Sequence, residues 1–170
     1  MRAVSSTLLV TPLHIAAGDG GFEWAADAES SFGLPDEPPT ARELPTVAQV
    51  LSAFRSAGCH GMAWFEVTGH DVTSDLPDCP DPASCASLGG RDLGEVSLGI
   101  DSAGSDDPLT LDHAVTDIGF RKPSSSAALA AVVSLAPQAG PLLVFDDNGQ
   151  HVFVVSPGDD PTHLARHWPW

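Results

Sequence analysis

Val47, Val50, Leu51 and Phe54 fall at i, i+3, i+4 and i+7, which places four apolar side chains on one face of a 3.6-residue period. Thr46 precedes them and Gln49 stands three residues on, the pattern of a capping box, while Gly58 occupies the position where a helix stops. A helix is therefore predicted from Thr46, followed at once by a strand over Met62–Thr68. Gly94–Ile100 alternates, with Val96, Leu98 and Ile100 on one face. Leu109, Leu111, His113 and Val115 alternate next, and Ile118 and Phe120 continue in the opposite phase. A bulge near Asp117 or Gly119 would restore the register.

Ser124, Ser125 or Ser126 is expected to cap a second helix, rich in Ala, that runs through Leu135 and is closed by Pro137. Leu142–Asp146 and Gln150–Val155 flank Asn148-Gly149, the strongest short-range hairpin signal, because both turn residues tolerate φ > 0. Val4–Ile15 reads as a strand or two, held to an edge or a bend by Pro12. Ser5, Ser6, Thr7 and Pro12 interrupt its apolar stretch, which favours a first strand over a secretory signal. Residues 18–45 are turn-rich and acidic, with Phe22, Trp24, Phe32 and Leu34 to pin them. Residues 69–93 are again loop-like. The tail ends in Trp168-Pro169-Trp170, and two tryptophans are costly to expose, so it is expected to dock on the domain or on a partner.

These elements predict a single acidic α+β domain over residues 1–170. The expected sheet is largely antiparallel, of about five to seven strands, with two helices packed on one face and a C-terminal β-hairpin. Long acidic loops are expected at about 18–45 and 69–93. Hydrophobic residues make up 42% of the chain, enough for a real core. No apolar run approaches the roughly 18 residues needed to span a bilayer, so no membrane partner is expected.

Charge changes the picture most. The chain has 23 Asp and Glu against 7 Lys and Arg, a formal net charge of −16, and Lys122 is its one lysine. Residues 1–85 hold 12 acids and 3 bases, and residues 86–170 hold 11 and 4, so the charge is not a detachable tail. A host with a biased composition would write some of this acidity into many proteins, which makes its placement the informative part. The few bases are scattered, which argues against nucleic-acid binding. There is no P-loop and no G-x-G-x-x-G after a strand, so no nucleotide site is expected.

Three cysteines, Cys59, Cys79 and Cys85, are an odd count that fits a reducing cytoplasmic setting. Cys79 and Cys85 would close a small loop if oxidised; free thiols are the preferred reading. Cys59, His60, His70, Cys79 and Cys85 cluster within 27 positions and are zinc-type ligands. No C-x-x-C pair is among them, and on that spacing neither a metal nor another cofactor is expected. Cys59 beside His60 lies at a helix end, where negative potential discourages a thiolate, so thiol catalysis is disfavoured. Asp106-Asp107, Asp146-Asp147 and Asp159-Asp160 lack calcium-loop spacing and read as solvated turns.

Acids interleaved with aromatics on surface loops suit protein capture, with charge steering a basic partner and aromatics anchoring it. The candidate contact residues are Glu23, Trp24, Asp27, Glu29, Asp36, Glu37, Asp71 and Asp75. In size, charge and α+β make-up the chain is similar to many bacterial immunity proteins, a likeness of class that no single motif carries. It implies a non-enzymatic, cytoplasmic inhibitor that occludes the active site of a basic toxin, such as a nuclease or nucleic-acid-modifying enzyme. Two alternatives remain: a small-ligand or metal-binding protein or enzyme using His60, His70, His113 or His151, and an assembly subunit anchored by Trp168 and Trp170.

Overall fold

The capping box forms as the sequence implies. The Thr46 hydroxyl accepts from the Gln49 N–H at 3.2 Å and the Thr46 N–H donates to Gln49 Oε1 at 2.9 Å, opening helix α3 (Val47–Ser56, numbered in chain order). The computed structural model describes residues 7–68, 76–79, 81, 83–85, 90–101 and 109–170. His70, Asp71, Asp75 and the Asp106-Asp107 pair lie outside the described residues.

The remaining elements are β1 (Thr7–Pro12), α1 (Leu13–Gly18), α2 (Gly21–Ala26), β2 (Ser30–Phe32), β3 (His60–Ala63), β4 (Asp92–Ile100), β5 (Val115–Arg121), α4 (Ser125–Ala139), β6 (Leu142–Asp146), β7 (His151–Val155) and α5 (Pro161–His167). Seven strands form one sheet in the order β2-β7-β6-β1-β5-β4-β3. The expected α+β class and strand number hold, but the sheet is mixed rather than largely antiparallel. Its four inner pairings are antiparallel, while β2 on β7 and β3 on β4 are parallel. Both parallel strands are short edge strands that non-hairpin connections deliver, a geometry that local patterning does not encode.

Side chains alternate across this sheet, and the register sorts them into two faces. Leu8, Val10, Val96, Ile118, Phe120, Leu142, Val144, Phe153 and Val155 face one core, shared with Val50, Leu51 and Phe54 of α3, with α4, and with Leu164 of α5. Leu143, Val152 and Val154 face the other way and meet Leu13 of α1 and Ala25 of α2. Among the described residues, five helices, on both faces, therefore replace the two on one face that the sequence predicts. The expected loop at 18–45 begins with α2 and β2, and α1 precedes them. These six-residue helices carry weak local signals, and burial of Leu13, Phe22 and Ala25 against the sheet outweighs the turn-forming composition.

Other expectations shift by a few residues. Ser124 caps α4, accepting from the Ala127 N–H at 3.3 Å, but the helix passes Pro137 and ends at Gly140 with φ of 79°. Pro137 sits in the last turn, where it forgoes the one bond that its N–H would have made four residues back and the helix ends within three residues. The stretch from Leu109 to His113 is a turn rather than a strand, closed by the His113 N–H donating to the Thr110 carbonyl at 3.2 Å. Pairing of Gly99 with Asp117 and of Ile100 with Val115 leaves Thr116 as the bulged residue, one position before the predicted Asp117. The β6–β7 hairpin forms as expected, but only Gly149 of its turn takes positive φ, at 65°. Asp146 is not solvated: it is 4% exposed, and accepts from the Gln150 N–H at 3.2 Å and from Trp170 Nε1 at 3.4 Å.

The aromatic tail docks on the domain. Asp160 caps α5, Trp168 meets Phe153 edge-on at 4.9 Å, and Trp170 stacks edge-on against Trp168 at 4.8 Å. The Ser125 hydroxyl donates to the Trp170 carbonyl. Among the described residues, no helix is long and apolar enough to cross a membrane.

Candidate functional site

The two faces of the sheet are covered unequally. Helices α1 and α2 sit over the β6–β7 side of one face. Toward β3 the same face carries Met62, Glu95, Ser97, Asp117, Gly119 and Arg121, which are polar, small or exposed. Over this end lies a pocket of about 780 Å³, whose lining includes His60, Met62, Phe65, Glu66, Asp78, Cys79, Asp92, Glu95, Arg121 and Lys122. Strand β3 supplies one wall and the 76–79 segment another, held by the Gly61 N–H donating to the Pro77 carbonyl at 3.4 Å.

Backbone conformation shapes the rim. Gly94 has φ of 69°, and a side chain there would run into the Arg121 and Lys122 carbonyls, so only glycine lets β4 pass so close to β5. Its N–H donates to Asp92 Oδ1 at 2.8 Å, which fixes that carboxylate at the pocket mouth. Lys122 is the one non-glycine residue with positive φ among the described residues, at 54°. A left-handed turn at a residue with a Cβ costs roughly 1–2 kcal/mol, and here it carries the chain from β5 to the α4 cap. Arg121 pairs with Glu95 at 3.1 Å, an exposed ion pair worth at most about 1 kcal/mol.

Three soft ligand-type side chains converge at the inner end. The donor atoms of His60, Cys79 and Cys85 all lie within 4.8 Å of one another, with His60 Nε2 3.3 Å from Cys85 Sγ. His60 is 6% exposed, and its Nδ1 lies 3.9 Å from Asp92 Oδ1. Gly90 makes room for Cys85, since a methyl group there would overlap the Cys85 sulfur. The Cys85 thiol is held above its ordinary value, first by its hydrogen bond with Cys79, then by burial and by the charges of Cys79, Asp92 and Asp81. Cys59 takes no part: it is 1% exposed, contacts the Ala127 carbonyl at 3.6 Å, and burial pushes its thiol up to about 11. Absence of a C-x-x-C pair is thus no obstacle to ligand convergence, because the fold brings Cys79 and Cys85 against His60 of β3.

The contact residues predicted from sequence fall elsewhere. Glu23, Trp24, Asp27, Glu29, Asp36 and Glu37 are all exposed, on α2 and the segments that follow it. Trp24 is 42% exposed and meets Phe145 edge-on at 5.3 Å, so it shares the sheet face that carries the pocket. Met62 and Trp64, which sequence reasoning passed over as strand residues, are 64% and 63% exposed. Met62 lies on β3 and Trp64 just beyond its end, and an apolar run does not tell which residues the tertiary packing leaves uncovered. No family model, no curated protein and no solved structure matches the chain.

Proposed function

We propose that the chain is an acidic protein-binding module that captures a basic partner. In its most concrete form it is a cytoplasmic, immunity-type inhibitor seated over the active site of a basic bacterial toxin, such as a nuclease. The observation that carries this reading is Met62 and Trp64, 64% and 63% exposed, beside a pocket whose lining sets four carboxylates, Glu66, Asp78, Asp92 and Glu95, against two bases, Arg121 and Lys122. Large apolar side chains left in water at a sheet edge gain from being covered, and Trp is among the commonest hot-spot residues. Carboxylates around such an anchor offer a nuclease the charge of its substrate phosphates, and a net charge of −16 speeds the approach of a basic surface. Trp24, Glu23 and Asp27 on the same side of the sheet extend the surface that a large partner would meet.

The test is binding of the purified chain to the basic proteins encoded beside it, by surface plasmon resonance at low and physiological salt. One partner should bind, with association slowing steeply as salt rises. Trp64→Ala should weaken that complex about thirtyfold, the effect of roughly 2 kcal/mol at a hot spot, mainly through faster dissociation. Glu66→Lys with Asp78→Lys should mainly slow association. A complex indifferent to Trp64→Ala but lost on Glu23→Lys with Asp27→Lys would move the contact to α2. Failure of every neighbouring basic protein to bind would sink the inhibitor reading.

A further inference from the structure

We propose that His60, Cys79 and Cys85 bind one soft divalent cation, zinc by ligand class, whose fourth coordination position faces the pocket. Two thiolates and an imidazole are the donors zinc prefers. Tetrahedral bonds of about 2.3 Å to sulfur and about 2.0–2.1 Å to nitrogen place paired ligands roughly 3.6–3.8 Å apart. The present donors lie within 4.8 Å of one another, with His60 Nε2 3.3 Å from Cys85 Sγ, so side-chain movements of about 1 Å complete the geometry.

The surroundings fit a cation independently of the ligands. Asp92 lies behind His60, with Oδ1 3.9 Å from Nδ1, just beyond the hydrogen bond by which a carboxylate orients a metal-bound imidazole. That carboxylate is itself fixed by the Gly94 N–H at 2.8 Å. Asp78 and Asp81 flank Cys79 in the chain and Asp92 lies on β4 beside His60, while Arg121, paired with Glu95, and Lys122 also line the pocket. The two thiols, with the charges of Asp81 and Asp92 acting on Cys85, repel one another once ionised, and a dication between the thiols reverses that repulsion. His60 is anchored on β3 and buried, whereas the described residues around Cys79 and Cys85 form neither strand nor helix. A metal bridging them ties that segment to the sheet, and binding releases the thiol protons to solvent. His60 and Cys79 both line the pocket, so the coordination position they leave free opens into it. Three protein ligands with one open position is the pattern of a reactive rather than a purely structural zinc site.

This inference stands apart from partner capture, and its test contains no partner. The reduced, chelator-stripped full chain is titrated with cobalt(II), then with zinc(II). One cobalt per chain should bind with a thiolate charge-transfer band and the intense visible bands of four-coordination, and one equivalent of zinc should abolish both. Azide should alter the cobalt spectrum by entering the open position; a spectrum it leaves unchanged would show that position to be closed. The wild-type chain carries the decisive measurement, which is independent of any effect of substitution on folding. One equivalent of zinc should slow alkylation of Cys79 and Cys85 by iodoacetamide at least tenfold, read by mass spectrometry, and a chelator should restore it. Cys59 should stay unreactive in both states. Equal alkylation rates with and without zinc, or a Cys79–Cys85 disulfide that forms as fast with zinc as without it, would overturn the site. Cys79→Ser and Cys85→Ser should each remove the charge-transfer intensity of one thiolate while far-UV dichroism stays unchanged; full intensity in either variant would overturn that ligand.

Discussion

His14 shows how a single side chain couples this fold to pH. It lies on α1, its Nδ1 is buried without a partner, and burial lowers its pKa from the ordinary 6.5. A backbone hydrogen bond with Arg42 opposes that shift and the Arg42 charge adds to it. A base whose pKa is lower in the folded chain binds protons more readily when unfolded, so stability rises with pH through the interval between the two values. Acidification from pH 7 toward 5 should therefore destabilise the wild type more than His14→Gln, measured as the shift in urea midpoint. Equal shifts would mean that His14 titrates alike in both states. Asp146 makes a related point: an acid whose local sequence reads as a turn becomes a buried acceptor because β6 sets it opposite Leu8, where the Trp170 indole reaches it.

At the scale of elements, local rules worked where the chain satisfies itself. Helix α3 carries its own start, periodicity and stop, and was legible in full. Removing its cap is correspondingly simple to score. Thr46→Ala leaves the Gln49 N–H without its acceptor and should cost about 1 kcal/mol, measured by equilibrium denaturation. A loss below about 0.3 kcal/mol would mean that packing of Val47, Val50 and Phe54 alone defines the helix start. Helices α1 and α2 are the opposite case. Each is too short to persist alone and exists because Leu13 and Ala25 are covered by Leu143, Val152 and Val154. The strand expected over Met62–Thr68 forms instead over His60–Ala63, and neither its parallel partner nor its edge position was legible in the apolar run.

For the molecule as a whole, 23 acids against 7 bases make net self-repulsion the dominant long-range force. Screening shortens its reach from about 30 Å at 0.01 M salt to about 8 Å at 0.15 M. Sodium chloride over that range should raise the thermal midpoint, in contrast to a fold held by exposed ion pairs such as Arg121–Glu95, which salt weakens. A midpoint that falls with salt would show local ion pairs outweighing the global charge. The same field favours a basic protein at the pocket face and a cation at His60, Cys79 and Cys85, two outcomes that the binding and cobalt experiments separate.

The amino-acid order by itself determined whatever rests on neighbours within about ten positions: the α3 and α4 caps, the β6–β7 hairpin, the α+β class and the acidity of the surface. Only the tertiary structure decided which strands lie at the edges, which of two sheet faces each helix covers, and where exposed Trp64 and buried His60 end up. The candidate site was half legible. Its ligand types were visible as a cluster in the chain, but spacing rules for preorganised thiol pairs gave no reason to join them. Cys85 reaches His60 across 25 positions through backbone contacts and chain reversals that no periodic signal records. Local interactions are set by covalent proximity, whereas such long-range contacts depend on the closure of the entire sheet.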